Sequence, residues 1–155
     1  MTSKFKKQII HFFLSLFFLT PIFSVAQIKA NDITGLLLTE DKDAHVQIEK
    51  KGNAYFGKIV WLKFPNDDDT NTPKLDKKNP NDKLKSRPIL GLNILSNFKF
   101  DGTKEWKNGK IYDPQTGKTY SCYLAFTDKT KNKLKLRGFI GISLLGGTTH
   151  WTRLE

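Results

Sequence analysis

An antiparallel all-β domain closing into a barrel of seven or eight strands is the fold this sequence predicts. Three observations point to it: short runs with apolar residues at every second position recur from residue 33 onward, Gly, Asn, Asp and Pro clusters separate them, and no long segment repeats with helical period. Strands in meander order close most simply, because closure removes exposed edges.

Ahead of the strands, Lys4, Lys6 and Lys7 precede an apolar run from Ile9 to Phe23 that ends in Ser24-Val25-Ala26. A basic start, an apolar middle and small residues at the −3 and −1 positions predict a cleavable export signal over residues 1–26. The rival is a retained anchor, since a spanning helix needs roughly 20 apolar residues. His11, Ser15, Thr20 and Pro21 interrupt the run. Cys122, the only cysteine, lies too far downstream for a lipid anchor at the cleavage site. The expected mature protein is therefore a single domain over residues 27–155, periplasmic or secreted, with no transmembrane span and monomeric. The full chain carries a net charge of +11; three Lys lie within residues 1–26 and all 15 acidic residues beyond, leaving 23 against 15, or +8. In an exported protein such a charge favours anionic envelope surfaces or acidic ligands, and nucleic acid is not an expected partner.

The first strand is read at Ile33 to Thr39. Ala44 to Glu49 alternates Ala44, Val46 and Ile48 against His45, Gln47 and Glu49, the pattern of a half-buried strand. Lys50 to Asn53 turns the chain into Ala54 to Lys63, where alternation assigns Tyr55, Ile59 and Trp61 to one face and Phe56, Val60 and Leu62 to the other. From Phe64 to Pro88, four prolines and the Asp67-Asp68-Asp69 triplet predict one long irregular loop, the first place to look for binding. Ile89 to Leu95 reads equally as a strand or one short helix. Asp113-Pro114-Gln115-Thr116-Gly117 is a tight turn between the strand Lys110 to Tyr112 and the strand Lys118 to Thr127. A further strand is expected from Leu134 to Leu145, with Leu134, Leu136, Ile140, Ile142 and Leu144 on one face and Gly138 and Gly141 at a bend. Gly146-Gly147 then turns into Thr148 to Leu154.

These motifs resemble those of domain of unknown function 2147, DUF2147, along essentially the whole mature chain. The likeness is carried by Gly35 to Asp41, Gly57 to Leu62, Asn79-Pro80, Arg87 to Gly91, Gly109 to Pro114 with Gly117 to Tyr120, Arg137 to Gly141 and Trp151-Thr152-Arg153. The resemblance implies a small exported bacterial protein with a lipocalin-like β-barrel. Such barrels commonly place a Trp two residues after a first-strand Gly, packed near a late Arg at the closed end; here Leu37 holds the Trp position, and Arg153 or Arg137 is available as the Arg.

No motif dictates a reaction, and no cofactor is expected. The histidines, His11, His45 and His150, share no metal-ligand spacing, and the consecutive aspartates lack the alternate-position spacing of a calcium loop. Gly141-Ile142-Ser143-Leu144-Leu145 lacks the second Gly of a nucleophile elbow. Asp113 is explained by its turn, and Cys122, sharing a face with Tyr120, Leu124 and Phe126, reads as a buried inert thiol. Aromatic and basic side chains remain: Trp61, Arg87, Trp106, Tyr112, Tyr123, Arg137, Trp151 and Arg153 are the candidates for gripping a small apolar or anionic ligand or an envelope surface. A Trp- and Leu-lined cavity would favour such a binding module, a converging carboxylate set with Arg87 a hydrolase or isomerase, and a filled barrel a structural or protein-interaction role.

Overall fold

The computed structural model describes residues 27–154, so the expected export signal lies outside the described residues. The described chain runs through β1 (Gly35–Leu38), β2 (Ala44–Lys51), β3 (Ala54–Leu62), β4 (Asn93–Phe100), β5 (Glu105–Asp113), β6 (Lys118–Phe126), β7 (Lys133–Phe139) and β8 (Gly146–Arg153). Each strand pairs antiparallel with the next, and β1 returns to β8 through Leu37↔Arg153 and Leu38↔Thr152, which closes the barrel. Among the described residues, helical structure is confined to two short 3-10 turns, Ala30–Ile33 and Asp82–Leu84.

One end of the barrel is packed solid. Leu37, Val46, Ile48, Tyr55, Leu95, Phe98, Trp106, Leu124, Leu134 and Leu136 are all buried there in one cluster. Glycine makes the room: a Cβ on Gly109 would lie 2.3 Å from the Phe98 ring, and one on Gly57 would lie 2.8 Å from Leu95. Both large side chains fill the space that a methyl group would take. Asn108, at φ 59°, bulges β5 so that both Trp106 and Gly109 are buried although three residues apart.

The 3-10 turn ahead of β1 caps this end. Trp106 Nε1–H donates to the Ala30 carbonyl at 2.9 Å, and Tyr55 Oη donates to Asn31 Oδ1 at 2.7 Å. The Arg153 guanidinium donates to the carbonyls of Thr34 (2.8 Å), Lys131 (3.1 Å) and Asp32 (2.5 Å). It also sits 5.7 Å above the Phe126 ring, which meets Trp106 edge-on at 5.6 Å. The aromatic ring under the late Arg is thus Phe126 of β6, backed by Trp106 of β5, while Leu37 holds the first-strand position.

Several elements differ from the sequence expectation. The alternation in β3 breaks because the register shifts opposite His45 and Val46, making Val60 an extra residue: His45 pairs with Trp61 and Val46 with Ile59. Trp61 is consequently turned out to stack on His45 at 4.3 Å, and Leu62 takes the inward place. The strand expected to reach Leu145 ends at Phe139, since Gly141 at φ 75° turns the chain, and Ile140, Ile142, Leu144 and Leu145 are exposed in the connection. The ambiguous segment after Pro88 is neither strand nor helix until Asn93, where β4 begins.

Candidate functional site

At the end opposite the 3-10 cap the barrel is hollow. A cavity of about 500 Å³ opens there between Ala44 of β2, Ile59 and Leu62 of β3, Ile94 of β4 and Trp151 of β8. Ile111 and Tyr112 of β5 and Tyr120 of β6 complete the wall. Phe64, Lys74 and Ile89 reach it from the long connection between β3 and β4, and the β1–β2 and β5–β6 turns form the rim. The size and apolar lining are those of a site for one small organic molecule.

The long connection is ordered because it is built around a buried carboxylate. Asp76 is fully buried, and four donors converge on it: Tyr112 Oη at 2.6 Å and Asn79 Nδ2 at 2.8 Å, with Arg87 Nε and Nη2 each at 2.9 Å. Asn79 also donates to Tyr112 Oη at 3.1 Å, and the Arg87 guanidinium lies 5.9 Å from the Tyr112 ring centre. Tyr112 therefore fastens the connection to the barrel wall. Burial, with the Asp76 carboxylate beside it, pushes the Tyr112 phenol above its ordinary value. A second clamp is backbone packing, since a Cβ on Gly117 would fall 1.9 Å from the Lys78 carbonyl. Only glycine permits that approach, and its φ of 72° suits the turn.

Charge at the mouth is opposite to charge overall. Glu40, Asp41, Asp43 and Asp113 line it against a single cation, Lys74. Asp43 accepts from the Thr39 hydroxyl at 2.6 Å, and Asp113 accepts from the Gln115 amide at 2.9 Å and the Thr116 hydroxyl at 2.7 Å. Hydrogen bonds from Thr149 and His150 hold the Glu40 carboxyl below the usual carboxylate range.

With this geometry in view, the comparison with known families is decisive for kinship: residues 35–153, from the first residue of β1 to the last of β8, match the family described as "Uncharacterized protein conserved in bacteria (DUF2147)". The chain belongs to the DUF2147 family. Among solved structures this DUF2147 barrel is similar to one described as "Protein HP1028 from the human pathogen Helicobacter pylori belongs to the lipocalin family". The two are 26% identical, the match covers 79% of this chain and 82% of the other, and the TM-score is 0.67. The curated proteins contain no match.

The DUF2147 barrel distributes the eight candidate residues over three places. Tyr112 and Trp151 are on the cavity wall, and Arg87 stands behind Tyr112 with its charge turned to Asp76. Trp106 and Arg153 seal the closed end, where the barrel narrows around the 3-10 turn. Trp61 and Arg137 are on the outside, Trp61 because of the β3 bulge and Arg137 because its guanidinium folds over the β7–β8 connection. Tyr123 is also away from the cavity, beneath Lys135 at 5.1 Å. None of the three arginines lines the cavity. Sequence reading missed Asp76 and Asn79, and the apolar wall of Ala44, Ile59, Ile94 and Ile111. Cys122 is buried in the barrel core, and burial pushes its thiol up to about 12.

Proposed function

We propose that this DUF2147 barrel is an exported binding module that holds one small apolar molecule in its open end. The observation that carries the reading is the 500 Å³ cavity above a solid base, walled by Ile59, Ile94, Ile111 and Trp151. An eight-stranded barrel has room for one small ligand in this way, and the lipocalin description of the Helicobacter pylori structure supports the same reading. The rim narrows the choice left open by the sequence. Four carboxylates against one lysine disfavour an anionic head group and favour a neutral or cationic one. Export is supported by the basic, apolar and small-residue order of residues 1–26.

A hydrolase built on Asp76 and Arg87 is less well supported. Asp76 does meet Arg87, but it is fully buried, engaged by four donors and absent from the cavity wall, so neither oxygen faces a substrate. Its geometry is that of a strut.

Competition for a neutral fluorescent probe, N-phenyl-1-naphthylamine, tests the reading. The probe is expected to bind, and an alkylamine is expected to displace it at lower concentration than the alkyl carboxylate of equal length. The reverse order would overturn the role given to the rim, and absence of probe binding would overturn the cavity assignment.

A further inference from the structure

We propose that the outer wall of the barrel over β4 to β7 is a second binding site, one that takes a linear acidic polysaccharide. The chain is strongly basic while the mouth of its cavity is acidic, so the cations gather elsewhere. Within these strands β4 carries one, β5 two, β6 one and β7 three, seven cations against the two carboxylates Glu105 and Asp113.

Strand pairing sets five of the seven on one face. Phe98, Trp106, Gly109, Leu134 and Leu136 turn inward, which leaves Lys99, Lys107, Lys110, Lys135 and Arg137 outside. Across the rungs Lys99 stands opposite Lys107, Lys110 opposite Ser121, and Arg137 opposite Tyr123. Like charges directly opposite one another cost stability. Lys107 is bridged to Asp101 and Glu105, each at 3.0 Å, whereas Lys99 and Lys110 have no carboxylate partner among the described residues. Lys135 Nζ lies 5.1 Å from the Tyr123 ring centre.

A groove of about 690 Å³ lies in the middle of this patch. Gly109 and Cys122 belong to the inward row, so their backbone forms the floor, and Lys107 and Lys110 stand along one side. The opposite side is the β7–β8 connection, which Arg137 holds back over the outer wall by donating to the carbonyls of Ser143 (2.9 Å) and Leu144 (3.1 Å). A wall fixed in this way costs little entropy to occupy.

Cations alone would attract any polyanion. The groove adds Ser121, Ser143, Tyr123 and Asn108, whose side-chain polar atoms make no hydrogen bond among the described residues, and the ring of Phe139. Hydroxyl and amide groups of this kind pair with sugar hydroxyls, the ring packs on a sugar's apolar face, and the lysines neutralise its carboxylates. A bilayer fits less well, because a recessed polar groove offers no apolar face to insert. Nucleic acid fits less well, because stacked bases want a succession of aromatic platforms along the strand. The site is outside the barrel and stands whether or not the cavity holds a ligand.

Calorimetric titration with polygalacturonate tests the proposal, on protein beginning at Gln27, whose described residues close the barrel by themselves. Wild type is expected to bind it, less tightly as salt rises, and to leave neutral dextran unbound. Lys110→Glu is expected to weaken binding about tenfold, while Lys83→Glu, the same charge change on the 3-10 turn of the β3–β4 connection, changes it less than about twofold. Ser121→Trp, which fills the groove at an exposed position without altering charge, is also expected to weaken binding about tenfold with the melting temperature unchanged. The proposal is overturned if polygalacturonate does not bind, if Lys83→Glu weakens binding as much as Lys110→Glu, or if Ser121→Trp binds as wild type does. Tighter binding of single-stranded DNA or of phosphatidylglycerol vesicles at the same salt also overturns it.

Discussion

Replacing Asp76 with Ala tests what orders the long β3–β4 connection. The substitution leaves the Tyr112 phenol, the Asn79 amide and the Arg87 guanidinium without the acceptor on which all three converge. Breaking a buried ion pair from one side costs about 3–5 kcal/mol. The Arg87 side chain retains 37% exposure and can recover some hydration, which places the expected cost near the lower end, about 3 kcal/mol. For a domain of this size that is a fall in melting temperature of roughly 10 °C. The assay is thermal unfolding by circular dichroism, run beside limited proteolysis. Cleavage between residues 64 and 92 is expected to appear in the variant at temperatures where the barrel is still folded, because the connection loses its anchor first. Asp76→Asn keeps the shape and one acceptor oxygen, and should fall between the two. A melting temperature for Asp76→Ala within about 1 °C of wild type, with the connection still protected, would refute the reasoning.

Other consequences follow from the same structure. Gly109→Ala is expected to destabilise by about 1–3 kcal/mol, because its methyl would press on the buried Phe98 ring, whereas Gly147→Ala meets nothing within 4 Å and should melt like wild type. Cys122 is expected to ignore thiol reagents in the native protein and to react on unfolding. Its raised folded value also means that the stability it contributes is complete below pH 9.0, the ordinary value, and is lost as pH climbs toward 12, readable as a wild-type decline that Cys122→Ala reduces. Arg153→Lys removes the fork that spans three carbonyls at the closed end, and a loss of about 1–3 kcal/mol is expected in denaturant unfolding.

The strand order was legible where local pattern and tertiary environment agree. The alternation of Ala44, Val46 and Ile48 reports a wall with one dry face, and the Asp113 to Gly117 turn carries its own chemistry in the Asp113 side chain and the positive φ of Gly117. Trp61 was misplaced because a bulge is a property of pairing: nothing within β3 marks Val60 as the extra residue, yet it reverses the faces that follow. Ile140 to Leu145 was misread as strand because apolar alternation looks the same whether or not anything covers it. Asp76 was invisible for a different reason. Its decisive partner, Tyr112, is 36 residues away, and in the sequence it is one aspartate in a polar stretch whose composition resembles a solvated loop. Trp106 likewise closes the barrel on Ala30 across 76 residues, a contact that only the closed sheet creates.

The cavity is the centre of the account, and native mass spectrometry of the protein purified from its own cells, followed by denaturation, tests it most directly. Wild type is expected to carry a reproducible small molecule at one per chain and to release it on unfolding, whereas Ile59→Trp, which fills the cavity, should be recovered without it. A ligand-free wild type that also takes up no added apolar compound, or an Ile59→Trp variant that retains the same molecule, would contradict the account.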